Sequence, residues 1–462
     1  GMGVPPMDGP RAGCPCHVAG ASHDWDENMG NRTERGKTAE QVELPPMACD
    51  VLVVGGGSSG ICAALQSARA GAATVLIESA HQVGGTMTTG GVNFPGLFHA
   101  WGRQVIAGVG WELVTKAVAL DDGRLPDFTR PTGRCHYNHQ ILINIPLFVA
   151  LAEEALVGAG VTLHYHAAPV RIKALSKGWR VHTAAAGNLR AITCRQIVDC
   201  TGNGSAAALA GFERLQARAR QPGTFIYRIN PNTDLSKFDA DELQARYDAA
   251  VKEGVLQRND CRWSLLNYLQ RGGDTANYVE NADNSTAEAR TRTNLRGRAA
   301  ALRMLRFLRS IPGLENTRLE SMSPEVGVRE TYRVRGEYLI THRDYTSGKR
   351  WKDSVCHAFY PIDLHRQATG VQPAHLEEGV VATVPLRALL PKGSRNLLVA
   401  GRCISSDQRA NSALRVQATC MATGQAAGAA AALAAQHGIS PAEVLVEEVK
   451  ALLMSHGAIV PG

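Results

Sequence analysis

The first stretch able to hold a ligand is Gly55-Gly56-Gly57-Ser58-Ser59-Gly60. Gly55 permits a tight turn, Gly57 lets the backbone approach a pyrophosphate, and Gly60 lets a helix lie close to a strand. Ser58 and Ser59 open the helix whose N-terminus would face the phosphates. Glu78, followed by Ser79, stands 18 residues beyond Gly60. A carboxylate there accepts hydrogen bonds from ribose hydroxyls and repels a 2′-phosphate. A second glycine turn, Gly84-Gly85-Thr86, comes next and can wrap the same pyrophosphate from the other side. A simple NAD dehydrogenase has no need of that second turn, so the pattern favours FAD.

These residues need a scaffold, and the flanking sequence provides one. Asp50-Val51-Leu52-Val53-Val54 is a short apolar run of the buried parallel-strand kind. A helical pattern covers Ser58 to Ala70, and Thr74 to Glu78 forms the next strand, giving a βαβ unit. Helical spacing is also expected over Gln140–Leu156, and strands over Val161–His166 and Gln196–Asp199. The leucines at 302, 305 and 308 space a further helix, which Pro312-Gly313 ends. Its arginines read as a solvated face. Asn396 to Gly401 is a late buried strand, and a long Ala/Gly helix is expected from about Ser412 to Gln436. Ser440-Pro441-Ala442-Glu443 has the pattern of a capping box opening a last helix.

From Val42 to Gly457 the chain resembles the FAD-dependent oxidoreductases of glutathione-reductase-type topology, distantly related to succinate dehydrogenase and fumarate reductase flavoproteins. The matching stretches are DVLVVGGGSSG at 50–60, GGTMTTGGV at 84–92, IVDCTGNG at 197–204, GVRETYRVRGEYLIT at 327–341, YPIDLH at 360–365, NLLVAGRCIS from 396, and SALRVQATCMATGQAAGAAAA from 412. The resemblance implies an α/β fold: a Rossmann-like FAD-binding domain with a mainly parallel central sheet, plus an inserted α+β substrate or cap domain. The FAD-binding part is expected at 47–100, 140–215 and 380–437. The cap is expected at 101–139 and 216–379, a C-terminal helix at 438–462, and a tail or strap at 1–46. The resemblance also implies that Val170 meets the adenine, that Thr201 and Gly202 pass the ADP half, and that Gly401 lies near the ribityl chain. Arg415 and Val416, at the start of the Ala/Gly helix, would face the pyrimidine edge of the flavin ring. A helix N-terminus stabilises negative charge there by ~0.3–2 kcal/mol.

The reaction end is less marked. Asp363 and His365 stand two apart on an extended segment and so face one side. Asp363 can orient His365 as a proton donor or acceptor. Arg329 and Glu330 are candidates either for substrate contact or for an interdomain ion pair. Arg402 follows Gly401 and could meet phosphate, ring or a substrate carboxylate. His136 and His139 are weaker candidates. There is no second mid-chain GxGxxG and no Cys-x4-Cys pair, so disulfide-reductase chemistry is not expected. The glycine turn after Glu78 contains no histidine (His81 precedes it), so FAD is expected to be non-covalent. Three uses of the flavin remain open: hydride exchange between a small organic substrate and flavin N5, a non-redox or structural role, and electron transfer to a protein partner.

Composition narrows the rest. The net charge of +7 arises from 49 basic and 42 acidic residues, a thin excess without aromatic-interleaved basic runs, so nucleic acid is not an expected partner. It suits an anionic cofactor or a carboxylate substrate. Eleven irregularly spaced cysteines read as reduced thiols of a cytoplasmic protein. Cys14-Pro15-Cys16-His17 lacks a second pair at metal-binding spacing, so no metal site is expected. No apolar signal follows Met2, and the Ala422–Ala435 stretch is too short and interrupted to span a bilayer.

Overall fold

The computed structural model describes residues 43–130, 136–274, 277–366, 370–371 and 373–462. The Cys14–His17 segment lies outside the described residues. The central sheet is built from β1 (Glu43–Val54), β2 (Thr74–Ile77), β3 (Thr162–His164), β4 (Ala167–Ala174), β5 (Trp179–Ala185), β6 (Asn188–Asp199) and β7 (Leu397–Val399). Their order is β3-β2-β1-β6-β5-β4, with β7 also on β6. The long β6 has two neighbours in succession on one edge. Its first half pairs antiparallel with β5, and its last three residues pair parallel with β7.

Four strand tips end level, because Val54 pairs with both Ile77 and Asp199, and Asp199 pairs with Val399. The loops at 55–60, 78–86, 200–204 and 400–402 therefore emerge side by side at the carboxyl ends of parallel strands. In open α/β sheets that is where ligands bind.

Helix α1 (Ser58–Arg69) follows the first glycine turn, and α2 (Ile145–Gly158) precedes β3. The latter begins later than its periodicity predicts, because Asn144 caps it and Pro146 enters its first turn. The β1 strand starts at Glu43, seven residues before the apolar run, because Glu43–Cys49 pairs along β6. Helix α3 (Ala287–Arg309) runs longer than its leucines mark.

The Ala/Gly segment is two helices, not one. The helix α4 (Gln408–Leu414) ends, Val416 adopts extended backbone, and α5 (Gln417–His437) restarts. This break brings the N-terminus of a 21-residue buried helix to the level of the strand tips. The capping residues Ser440 and Glu443 close a single turn, with Ser440 N–H donating to the Glu443 carboxylate at 2.8 Å. The last helix, α6, begins only at Val446 and ends at Ser455.

Helix α5 lies against α1 through missing side chains. A Cβ on Gly424 would sit 2.1 Å from the Ser59 carbonyl, and one on Gly428 2.4 Å from that of Ala63. Gly424→Ala should therefore push the helices apart and cost ~1–3 kcal/mol or more. A urea midpoint equal to wild type would refute that close packing.

The apolar residues form two cores. The larger draws on 51–207 and 334–453, and the smaller on Phe225 to Val328. The packing thus departs from the cap boundaries drawn on the sequence. Val105–Val118 and Val334–Leu376 belong to the larger core, because their apolar side chains face the sheet and helix α5 layers. Among the described residues no helix is long and apolar enough to cross a membrane. The eight described cysteines are free thiols.

Candidate active site

A cavity of about 1090 Å³ runs along the strand tips and under the smaller core. Gly55 has φ +98°, and a Cβ there would lie 2.7 Å from the Cys200 carbonyl oxygen. Gly60 is equally constrained, since its Cβ would collide with the Gly55 carbonyl. Both serve the shape of the turn; Gly55 also lines the cavity, while Gly60 lies behind it. Gly57, Ser58 and Ser59 form the wall itself. A Cβ on Gly57 would meet no protein atom within 4 Å, so the missing side chain leaves its space to the cavity.

The second glycine turn is tied to the first, with Gly84 N–H donating to the Gly56 carbonyl at 2.8 Å. Gly85 and Thr86 line the cavity, while Gly84 packs on Thr88 outside it. Glu78 lines it too and accepts from Gly56 N–H at 2.6 Å, Ala80 N–H at 2.7 Å and the Ser79 hydroxyl at 3.1 Å. Its carboxylate therefore shapes the glycine turn as well as facing the ligand space.

On the third loop, Thr201 and Gly202 line the wall. Fully buried Asp199, which the sequence reading left unassigned, accepts from Thr201 N–H at 3.0 Å and Ala207 N–H at 2.8 Å. Burial pushes its carboxyl pKa up. Arg402 lines the cavity but commits most of its donors to protein: the carbonyls of Gly202 and Val328 and the Asn203 side chain. It clamps two loops together. Gly401, beside it, packs on Ser59 and lies behind the wall.

Besides Gly60, Gly84 and Gly401, two further expected residues lie off the wall. Val170 is half exposed, and the wall is made by Ala167, Ala168 and Pro169 instead. The hairpin register shifts between Pro169 and Arg171, which carries Val170 out of the ladder. Glu330 is buried outside the cavity, 3.4 Å from Arg333, and accepts from Gln221 N–H and the Gln408 amide. Its oxygens are occupied within the protein, and its ion pair is a local one with Arg333 three residues on, not one between domains.

At the far end, His365 Nε2 and Asp363 Oδ2 are 2.9 Å apart, and the Tyr278 hydroxyl lies 2.5 Å from His365 Nδ1. Arg415 donates to the same Asp363 oxygen at 3.2 Å and to the Asp363 carbonyl at 3.0 Å. Arg329 donates to the Pro222 carbonyl at 2.6 Å. Arg329, Arg415, Asp363, His365, Arg262, Tyr360 and His136 all line the cavity; His139 packs against Phe128 instead. Burial works against the Asp363 carboxylate, but His365, Arg415 and Arg329 outweigh it and hold its pKa well below the usual range. Burial, reinforced by Arg329, pushes the His365 imidazole down to about 3. The ring is therefore neutral at pH 7. With an ionised carboxylate at Nε2, that nitrogen carries the proton, and Nδ1 accepts from the Tyr278 hydroxyl. Burial, then Arg415, lowers Arg329 to about 10, which leaves it cationic.

Residues 50–453 match the family model described as FAD dependent oxidoreductase. The chain belongs to the FAD-dependent oxidoreductase family. FAD is its cofactor, and the protein is an oxidoreductase.

Among solved structures, the oxidoreductase aligns with a geranylgeranyl bacteriochlorophyll reductase-like protein from Thermoplasma acidophilum at 12% identity and a TM-score of 0.40, over 89% of this chain and 83% of that one. The anhydrotetracycline hydroxylase OxyS from Streptomyces rimosus aligns at 13% identity and a TM-score of 0.40, over 89% and 66%. No curated protein matches the sequence.

The residues of this oxidoreductase fit FAD. The unfilled space over Gly57 suits a pyrophosphate at the start of α1. Buried Thr89 Oγ1, Thr224 Oγ1, Arg415 Nε and Gln417 Oε1 have no hydrogen-bond partner among the described residues and belong to residues of the same wall. Buried polar atoms are costly unless something bonds them, and a polar-edged ligand would. Val416 and Gln417, at the head of α5, stand at the end that also holds Arg415 and Asp363. Sequence reasoning missed Arg262 and Tyr278, since neither sits in a motif. It also passed over Gln417, although that residue lies next to the singled-out Val416.

Proposed function

We propose that the protein oxidises a small organic carboxylate, with non-covalent FAD as the redox group. When bound, FAD supplies the two-electron acceptor, exchanging hydride with the substrate carbon at N5. The observation that carries this reading is the Asp363–His365 pair lining one cavity with the glycine turns and three arginines, Arg262, Arg329 and Arg415. Asp363 is the carboxylate among them, and it is already bonded to His365 and Arg415. A surplus of cationic charge therefore faces the space, which favours an anionic substrate.

His365 acts as the proton acceptor, because its ring is neutral and its Nε2 proton is held by a carboxylate. Acceptance falls to Nδ1, where the competing bond is a neutral hydroxyl. Exchanging such a bond costs ~0.5–1.5 kcal/mol net, against ~1.5–3 kcal/mol for one to a charged group. Arg329 and Arg262 orient the carboxylate, and burial of this end keeps water from the exchanged proton.

The test is anaerobic mixing of the holoenzyme with lactate, malate, succinate and their amides, scored by loss of flavin absorbance. One or more of the acids should bleach the flavin, and its amide should not. Bleaching by the amides as fast as by the acids would remove the carboxylate from the reading. A flavin inert to every donor would favour a structural use. Heat-denatured protein should also release all its flavin as FAD; fluorescence left with the denatured chain would refute non-covalent binding.

A further inference from the structure

Tyr278 is nearly buried, at 5% exposure, and touches three of the groups just described. Its hydroxyl meets His365 Nδ1 at 2.5 Å. The Arg262 guanidinium lies 3.7 Å from its ring centroid and that of Arg329 5.5 Å. Both arginines line the cavity, and among the described residues neither has a salt bridge: Asp363 is spent on His365 and Arg415. Tyr278 also lies in the segment between Phe225 and Val328, whereas Asp363 and Arg415 belong to the other part of the chain.

We propose that Tyr278 is the positioning residue of the active site: its hydroxyl holds His365 with Nδ1 as the accepting nitrogen, and its ring spaces Arg262 and Arg329 for the substrate anion. The inference rests on the proposed function but is read without turnover. The two jobs use different parts of one side chain, so they separate by substitution. Tyr278→Phe removes the hydroxyl and keeps the ring. Tyr278→Leu removes both.

The test uses FAD-loaded protein labelled with ¹⁵N-histidine, with sulfate and succinate as anion probes followed through the flavin spectrum. In wild type the His365 ring should show one protonated nitrogen and one hydrogen-bonded, lone-pair nitrogen across pH 5–8. The groups facing that ring are Asp363, Tyr278, Arg329 and Arg415, with Arg262 behind the phenol. In Tyr278→Phe the lone-pair resonance should move toward that of an unbonded nitrogen, while anion affinity stays within twofold. In Tyr278→Leu that resonance should move likewise, and anion affinity should fall roughly three- to tenfold, the loss of cation–π placement. An unmoved resonance in Tyr278→Phe overturns the hydroxyl's role. Wild-type anion affinity in Tyr278→Leu, or wild-type protein that binds neither probe, overturns the ring's role. An unslowed His365→Gln enzyme would instead sink the proposed function and leave these readouts standing.

Discussion

His365→Gln should leave FAD bound and the chain folded, yet slow anaerobic flavin reduction by a carboxylate donor roughly 10²–10⁴-fold. The expectation follows from the position of the imidazole. It lines the cavity, it is neutral because burial and Arg329 disfavour its cation, and Asp363 fixes its Nε2 proton. Glutamine fills similar space but has no basic nitrogen.

The pH dependence carries a sign that can be checked. A histidine held down at about 3 stays in its accepting form throughout pH 5–8, so wild-type reduction should show no acid limb there from this group. A limb near pH 6.5 that disappears in His365→Gln would show an ordinary, solvated imidazole. Asp363→Asn should slow reduction as well and also weaken donor binding, because Arg415 loses its carboxylate partner. If His365 were only a packing residue, both variants would melt earlier while their per-flavin reduction rate stayed at the wild-type value.

Glu78→Ala should weaken FAD binding by ~1.5–3 kcal/mol, or about 10–150-fold, from the lost charge-assisted bond to ribose. The fold should suffer too. The same carboxylate accepts from Gly56 and Ala80 N–H groups, and leaving a buried donor unpaired costs ~1–3 kcal/mol. Apoprotein should therefore unfold at lower urea, and reconstituted protein should need more FAD to saturate. Glu78→Gln retains one acceptor oxygen and should fall between the two. Titration of apoprotein by quenching of FAD fluorescence gives the affinity. An unchanged affinity in Glu78→Ala would take that carboxylate out of the cofactor site.

The dinucleotide end was legible in the sequence because its requirements are local. Gly55 needs a positive φ, Gly60 needs no Cβ, and Glu78 must end the next strand; all of this lies within one βαβ unit. Parallel pairing then brought the tips at Val54, Ile77, Asp199 and Val399 level, as their apolar runs implied. Asp363 and His365 were legible for the same reason, since a two-residue spacing on extended backbone fixes a shared face. The break at Arg415–Val416 was not, because no glycine or proline marks it and Leu414-Arg415-Val416-Gln417 reads on as helix.

The reaction end was decided by tertiary structure. Arg262, Tyr278, Arg329, His365 and Arg415 come from separate stretches of chain and meet only when the smaller core closes over the sheet. Adjacent Arg329 and Glu330 have the same local pattern yet opposite fates, one facing the cavity and one buried against Arg333, Gln221 and Gln408. Val170 was lost to a register shift that strand periodicity does not record. Sequence alone determined which cofactor the chain holds, because backbone turns are specified by neighbouring residues. Which side chains face the substrate depended on long-range packing, which residue spacing does not encode.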